Sequence, residues 1–195
     1  VFDLYAKTGA NANAFTSFDK TCYFFSCSDH FPESLKILLS FVQSPYFTPE
    51  SVAKEQGIIG QEIRMCNDDP GWRVFFNMLS GLYQKHPVRI DIAGTIESIA
   101  QITDDLLYRC YRTFYNLHNM VLAVAGNCTA DQVLEIADEL LKPCEDQKLE
   151  TVFPEESLDI VRPETVESAA VGQTLFNLGI KIAPKTGYAN LKAEM

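Results

Sequence analysis

Two glutamates, Glu55 and Glu62, stand seven residues apart in the stretch VAKEQGIIGQEIRMC that runs from Val52 to Cys66. On a helix of about 3.6 residues per turn that spacing is almost two full turns, so both carboxylates project from nearly the same side. Val52, Ile59, Ile63 and Cys66 fall on or beside that stripe, the side an amphipathic helix buries. A carboxylate on an apolar stripe is costly unless a cation, a proton or hydrogen bonds compensate it. One account of the pattern is a buried metal ligand. The other is a partly exposed helix whose polar face drifts over the seam, with ordinary ion pairs holding the acids. Gly57 and Gly60 each cost such a helix about 1 kcal/mol relative to alanine. Their use is close approach of another backbone, or helix packing without chemistry.

Other reactive side chains are sparse. His86 precedes Pro87 in a loop and His118 lies in a turn, positions that suit structural or solvated histidines. The six cysteines, at positions 22, 27, 66, 110, 128 and 144, form no C-x-x-C and pair with no nearby histidine, which disfavours zinc-ribbon and thioredoxin-type sites. They read as free, buried thiols in a reducing compartment, and the expected location is cytoplasmic.

The chain has 195 residues, 47% hydrophobic and 11% aromatic, enough for one core and part of a second. A formal net charge of −10 argues against a phosphate-binding surface, hence no nucleic acid, and against a polybasic membrane patch. No apolar run approaches the roughly 18 residues of a membrane span. The opening Val1-Phe2-Asp3 carries no initiator Met and no signal-like block, so the sequence reads as a fragment that begins inside a domain.

The elements that must position these residues follow from periodicity. Val1 to Lys7 reads as a helix end closed near Gly9, and Asn11 to Cys27 as extended chain with a turn over Thr16 to Lys20. Ser28 or Asp29 caps a helix with Pro32 in its first turn and Leu35, Leu38, Leu39 and Val42 on one face. Thr48-Pro49-Glu50 opens the two-glutamate helix. Trp72 to Gln84 is apolar nearly all round and predicts a well-buried helix. A short helix follows at Thr95 to Ile99 and a longer one from Thr103 to Tyr115. Met120 to Ala125 (MVLAVA) predicts a central strand. Thr129 caps a helix from Asp131 to Leu141 with Val133, Ile136, Ala137 and Leu140 inward. Beyond Pro143 the texture becomes acidic and proline-punctuated, a linker over 144–165. From 166 the alternation of Val171, Thr174, Phe176, Leu178, Ile180 and Ile182 predicts new strands and the start of a second domain. The expected division is therefore 1–143, a linker 144–165, and 166–195.

Gly9-Ala10-Asn11-Ala12-Asn13-Ala14-Phe15-Thr16-Ser17, the strand Thr21 to Ser26, Glu55 with Glu62, Asp69-Pro70, His86-Pro87, Gly94, and Tyr115 with Asn119 to Gly126 occur in an order that resembles the pitrilysin/insulinase family of zinc peptidases. The likeness runs from about Val1 to Leu141 and is nearest to bacterial insulinase-like and processing-peptidase-like proteins. It implies an α+β fold, an antiparallel sheet covered by helices, repeated in two or more homologous domains. It implies zinc held by two histidines of an inverted H-x-x-E-H helix and by a later glutamate, with a zinc-activated water as attacking group. Glu62 matches that later ligand and Glu55 a nearby acid that supports catalysis. Asn13, Ala14, Phe15 and Thr16 match the edge strand that pairs with an extended peptide.

The sequence departs from the family pattern at one point: these residues contain no H-x-x-E-H. His30-Phe31-Pro32-Glu33-Ser34 comes nearest and is rejected, because Pro32 cannot occupy a helix interior. The resemblance places the inverted motif, with the remaining zinc ligands, N-terminal to Val1. One carboxylate is not a zinc site, so the chain as it stands is expected to be inactive. The expected parent is a zinc-dependent endopeptidase that cleaves extended peptides, its partner a second homologous domain or subunit. The alternatives are a non-catalytic pseudopeptidase, the peptide-binding subunit of a heterodimeric protease, and an unrelated α+β interaction domain.

Overall fold

The computed structural model describes residues 1–150 and 152–182; the rest of the expected second domain, 183–195, lies outside the described residues. The fold is α+β, helix-rich with a two-stranded antiparallel sheet. It divides into two compact units, one of residues 1–56 with 100–150, the other of 57–99 with the described residues 152–182.

In the first unit a short helix, α1 (Phe2–Thr8), ends where Gly9 turns left-handed at φ 67. Strands β1 (Asn11–Thr16) and β2 (Thr21–Ser26) then form a hairpin in which Ala14 lies opposite Tyr23 and Phe15 opposite Cys22. Helix α2 (Phe31–Val42) packs on α7 (Ala130–Leu140), and this seam is the core: Leu35 and Leu39 meet Ile136 and Ala137, with Phe25, Phe31, Val133 and Leu140 around them. The inward faces expected of both helices are thus observed. Tyr5 anchors α1 to α2, burying its ring and donating its hydroxyl to Ser34 O at 3.3 Å. Thr129 and Gln132 form the reciprocal cap of α7. The cap of α2 differs from expectation. His30, at φ 53, holds the N-cap without a side-chain bond. Pro32 at the second helical position has no N–H for a Ser or Asp cap to bind.

Helix α3 (Pro49–Asp68) begins in the first unit and continues into the second. There Asp69 caps α4 (Pro70–Leu82), accepting from Gly71 N at 2.7 Å, and Trp72 Nε1 donates to Asp91 at 2.6 Å. Helix α5 (Ile96–Ile99) closes this stretch, and α6 (Asp104–Phe114), capped by Thr103, returns to the first unit. Helix α4 is less enclosed than its composition suggested: Leu79 and Gly81 are buried and most of its other residues only half-buried. No helix among the described residues is long and apolar enough to cross a membrane.

Among the described residues the strands expected at Met120 to Ala125 and from 166 are absent. Met120 to Ala125 and the described residues 166–182 form neither helix nor strand, and Val121, Phe176 and Leu178 are exposed. Apolar alternation marks a face that a strand can bury, but a strand exists only where another backbone completes its ladder, and none among the described residues does so.

The connector over 152–182 has no regular structure, yet it is pinned to the end of α4. Val161 N and Arg162 N both donate to Gly81 O, at 2.8 and 3.2 Å, and Lys181 Nζ donates to Leu82 O at 3.1 Å. Arg162 reaches Ser80 Oγ at 2.7 Å, and Glu167 pairs with Arg73. Gly179 runs so close that a Cβ there would lie 2.5 Å from Leu82 Cδ1. Glu156 receives the backbone N–H groups of Gln84, Lys85 and His86 at 2.7–2.8 Å, and Lys181 Nζ at 2.6 Å. The Lys181 bond, then those backbone donors, hold its carboxyl at about 2 instead of 4.5, against the opposing effect of desolvation. A depressed folded-state value makes the contribution complete above about pH 4.5 and lost as pH falls through about 2. In an NMR titration the amide resonances of Gln84 to His86 should therefore move with a midpoint near pH 2; a midpoint at the ordinary carboxylate value would break this assignment.

Candidate functional site

The hairpin register decides what β1 offers. Ser17 N donates to Lys20 O at 2.8 Å, which makes 17 and 20 a bonded pair. Bonded and non-bonded pairs alternate in an antiparallel ladder, so Phe15 and Asn13 bond inward to β2, while Ala12, Ala14 and Thr16 turn their N–H and C=O groups away from it. No other strand among the described residues pairs with that edge. Asn13, Ala14, Phe15 and Thr16 are all solvent-exposed. The four residues singled out in sequence are thus brought together as one open strand.

The two faces of the hairpin differ. Tyr23 and Phe25, beside Ala14 and Ala12, face inward: Phe25 stacks on Tyr5 at 5.9 Å and Tyr23 meets Phe41 at 5.6 Å. Phe15 and Phe24 stay exposed on the outer face, 6.2 Å apart. Tyr23 also shares a 2.5 Å hydroxyl–hydroxyl bond with Tyr115, whose ionisation burial and this bond push up. Next to β1 lies a cleft of about 410 Å³, lined by Phe2 and Tyr5 of α1, Ala12 and Ala14 of β1, and Leu38 and Phe41 of α2. Neither the tyrosine pair, 92 residues apart, nor the cleft carries a local sequence signal.

Helix α3 shows which account of its glutamates holds for these residues. Val52 and Ile63 are buried and Ile59 and Cys66 half-buried, but Glu55 and Glu62 are exposed. At about 100° per residue the carboxylates flank the apolar stripe instead of lying in it. Burial raises the Cys66 thiol, and the charges of Asp91, Glu62 and Asp69 raise it further, so this thiol is protonated and inert at neutral pH. Among the described residues no group of three or more His, Cys, Asp or Glu side chains is placed to hold a metal ion. Glu62 is accessible and can give one ligand; these residues alone do not fit a zinc ion. His86 stacks on Phe153 and accepts from Val88 N, while His118 meets Cys144 O at 3.3 Å. Both are structural. The six thiols are free, but none is fully buried, and Cys110 and Cys144 are exposed.

Residues 1–96 match the family model described as Insulinase (Peptidase family M16), and residues 101–194 match Peptidase M16 inactive domain. The chain belongs to the insulinase family, M16. The uncharacterized zinc protease YmfH of Bacillus subtilis is 44% identical over 200 residues, covering all of this chain and 47% of the relative. An uncharacterized zinc protease of Rickettsia felis is 30% identical over 135 residues, 69% of this chain and 33% of its own length. The chain thus spans about half of the first relative and a third of the second. Among solved structures, an M16-like peptidase from Alicyclobacillus acidocaldarius superposes with a TM-score of 0.78 at 43% identity, over 83% of this chain and 39% of that one. A Helicobacter pylori protease shares the fold, with a TM-score of 0.69 at 20% identity over 82% of this chain and 38% of that one. The second M16 match begins well before residue 144, where the texture of the sequence changes.

Among the described residues no backbone closely approaches the two glycines of α3. Among the same residues a Cβ on Gly57 would meet no atom within 4 Å, and one on Gly60 would meet side chains alone, Ile96 Cδ1 at 3.4 Å and Ile99 Cδ1 at 3.9 Å. Gly57→Ala should accordingly raise stability by about 0.5–1 kcal/mol in urea denaturation. A loss of stability would mean that position 57 is covered in the folded protein.

Proposed function

We propose that the protein containing this chain is a zinc-dependent endopeptidase that cleaves extended peptides. The observation that carries the reading is the exposed edge of β1, to which no other strand among the described residues is paired, beside an apolar cleft. An extended chain can add to such an edge through backbone hydrogen bonds and place an apolar side chain in the neighbouring cleft. Backbone pairing reads conformation more than sequence, which suits a peptidase acting on unfolded segments. The names of the bacterial relatives support zinc and proteolysis.

In this reading Glu62 supplies one zinc ligand, Glu55 supports catalysis from the same helix, and the histidine ligands come from a segment preceding Val1. Asn13 to Thr16 form the substrate edge. A second homologous domain or subunit completes the enclosure around the peptide; residues 1–143 belong to the catalytic-type domain, 144–165 link it, and 166–195 open the second. The free thiols fit a cytoplasmic setting.

The test uses the complete encoded protein. Glu62→Gln should empty the site of zinc by elemental analysis and lower cleavage of an internally quenched peptide beyond the about 10–100-fold that loss of an outer-shell partner costs. Glu55→Gln should keep the zinc and lose activity. Exposure of both residues predicts unchanged circular dichroism. Unaltered zinc content in Glu62→Gln would remove the ligand assignment. A wild-type protein that purifies metal-free and binds peptide without cutting it would instead be a pseudopeptidase.

A further inference from the structure

The outward N–H of Ala14 is the donor that an added strand needs, and it is already occupied: Asn13 Oδ1 accepts from it at 2.8 Å. We propose that Asn13 is an edge lock, whose carboxamide oxygen stands in for a peptide carbonyl and must be displaced before a substrate strand can pair at Ala14. The proposal rests on the reading of β1 as the peptide-binding edge.

Three physical points support it. First, the register leaves Ala14 in a non-bonded pair with Tyr23, so its N–H faces the side where a further strand would lie. Second, an open strand edge invites indiscriminate pairing, and natural sheets blunt such edges. A side-chain acceptor from the adjacent residue blunts this one without closing it. Third, displacement replaces one amide–carbonyl bond with another between exposed groups, so the net change is small. The lock therefore tunes affinity: an isolated carbonyl gains little at Ala14, while a peptide that pairs along the edge at Ala12, Ala14 and Thr16 gains enough to displace it. Asn13 itself bonds inward to β2 through its backbone, which holds its side chain beside the Ala14 amide.

The test is binding, with zinc removed from the encoded protein by chelation so that no cleavage occurs. The probe is a short fluorescein-labelled peptide of alternating threonine and valine, read by fluorescence anisotropy, with amide exchange at Ala12, Ala14 and Thr16 followed by NMR. Asn13→Ala should bind about threefold to tenfold tighter, the range expected for one net hydrogen bond, and its free Ala14 amide should exchange faster than in the wild type. Asn13→Asp keeps the side-chain shape but gives Ala14 a charged, stronger acceptor, and should bind more weakly than the wild type. If the peptide protects these amides in the wild type but Asn13→Ala binds no tighter, the lock is wrong and the edge reading stands. If the peptide leaves their exchange unchanged in the wild type and in Asn13→Ala alike, the edge reading fails and the lock with it.

Discussion

Backbone N–H and C=O groups must find partners, and the way this chain meets that demand shapes nearly everything described above. Where a ladder ends, side chains or irregular backbone take over. At the open edge of β1 the Asn13 carboxamide covers Ala14 N–H. At the end of α4 the connector supplies Val161 N, Arg162 N and Lys181 Nζ to the Gly81 and Leu82 carbonyls. Just beyond, Glu156 gathers the N–H groups of Gln84, Lys85 and His86. The first substitution is local and exposed, so it exchanges readily. The others are multiple, and the Lys181 and Glu156 side chains among them are largely covered, so an irregular segment is held by several bonds at once.

The apolar contacts serve these polar arrangements. The seam of Leu35 and Leu39 against Ile136 and Ala137 sets α2 against α7, and Phe25 and Phe31, packed on that seam, hold the inner face of the hairpin. Tyr5 ties α1 to the same helix through Ser34. The strand is thus held on one face by aromatic packing and on one edge by β2, and no strand among the described residues pairs with its other edge. The outward Phe15 and Phe24 keep a second apolar surface next to that edge.

Electrostatics around α3 favour accessibility over burial. Glu62 stays in water close enough to Asp69 and Asp91 for all three to act on Cys66. Left exposed, its carboxylate oxygens are not desolvated and stay accessible. The same exposure means that no buried cation among the described residues compensates Glu55 or Glu62.

The sequence by itself determined the family, the helices and the residues of the open strand. These depend on local order: the Gly9 stop, the Thr129 cap, the 3.6-residue periodicity of α2 and α7, and the spaced motifs from Gly9 to Gly126. Tertiary structure alone decided the rest. Whether Met120 to Ala125 is a strand depends on a partner backbone, not on its own apolar run. That Glu55 and Glu62 are exposed depends on which side of α3 is covered. The Tyr23–Tyr115 bond and the Glu156 nest join residues 92 and about 70 apart, beyond the reach of any periodicity. The outward direction of Ala14 N–H needed the hairpin register, because a one-residue slip would have turned it toward β2.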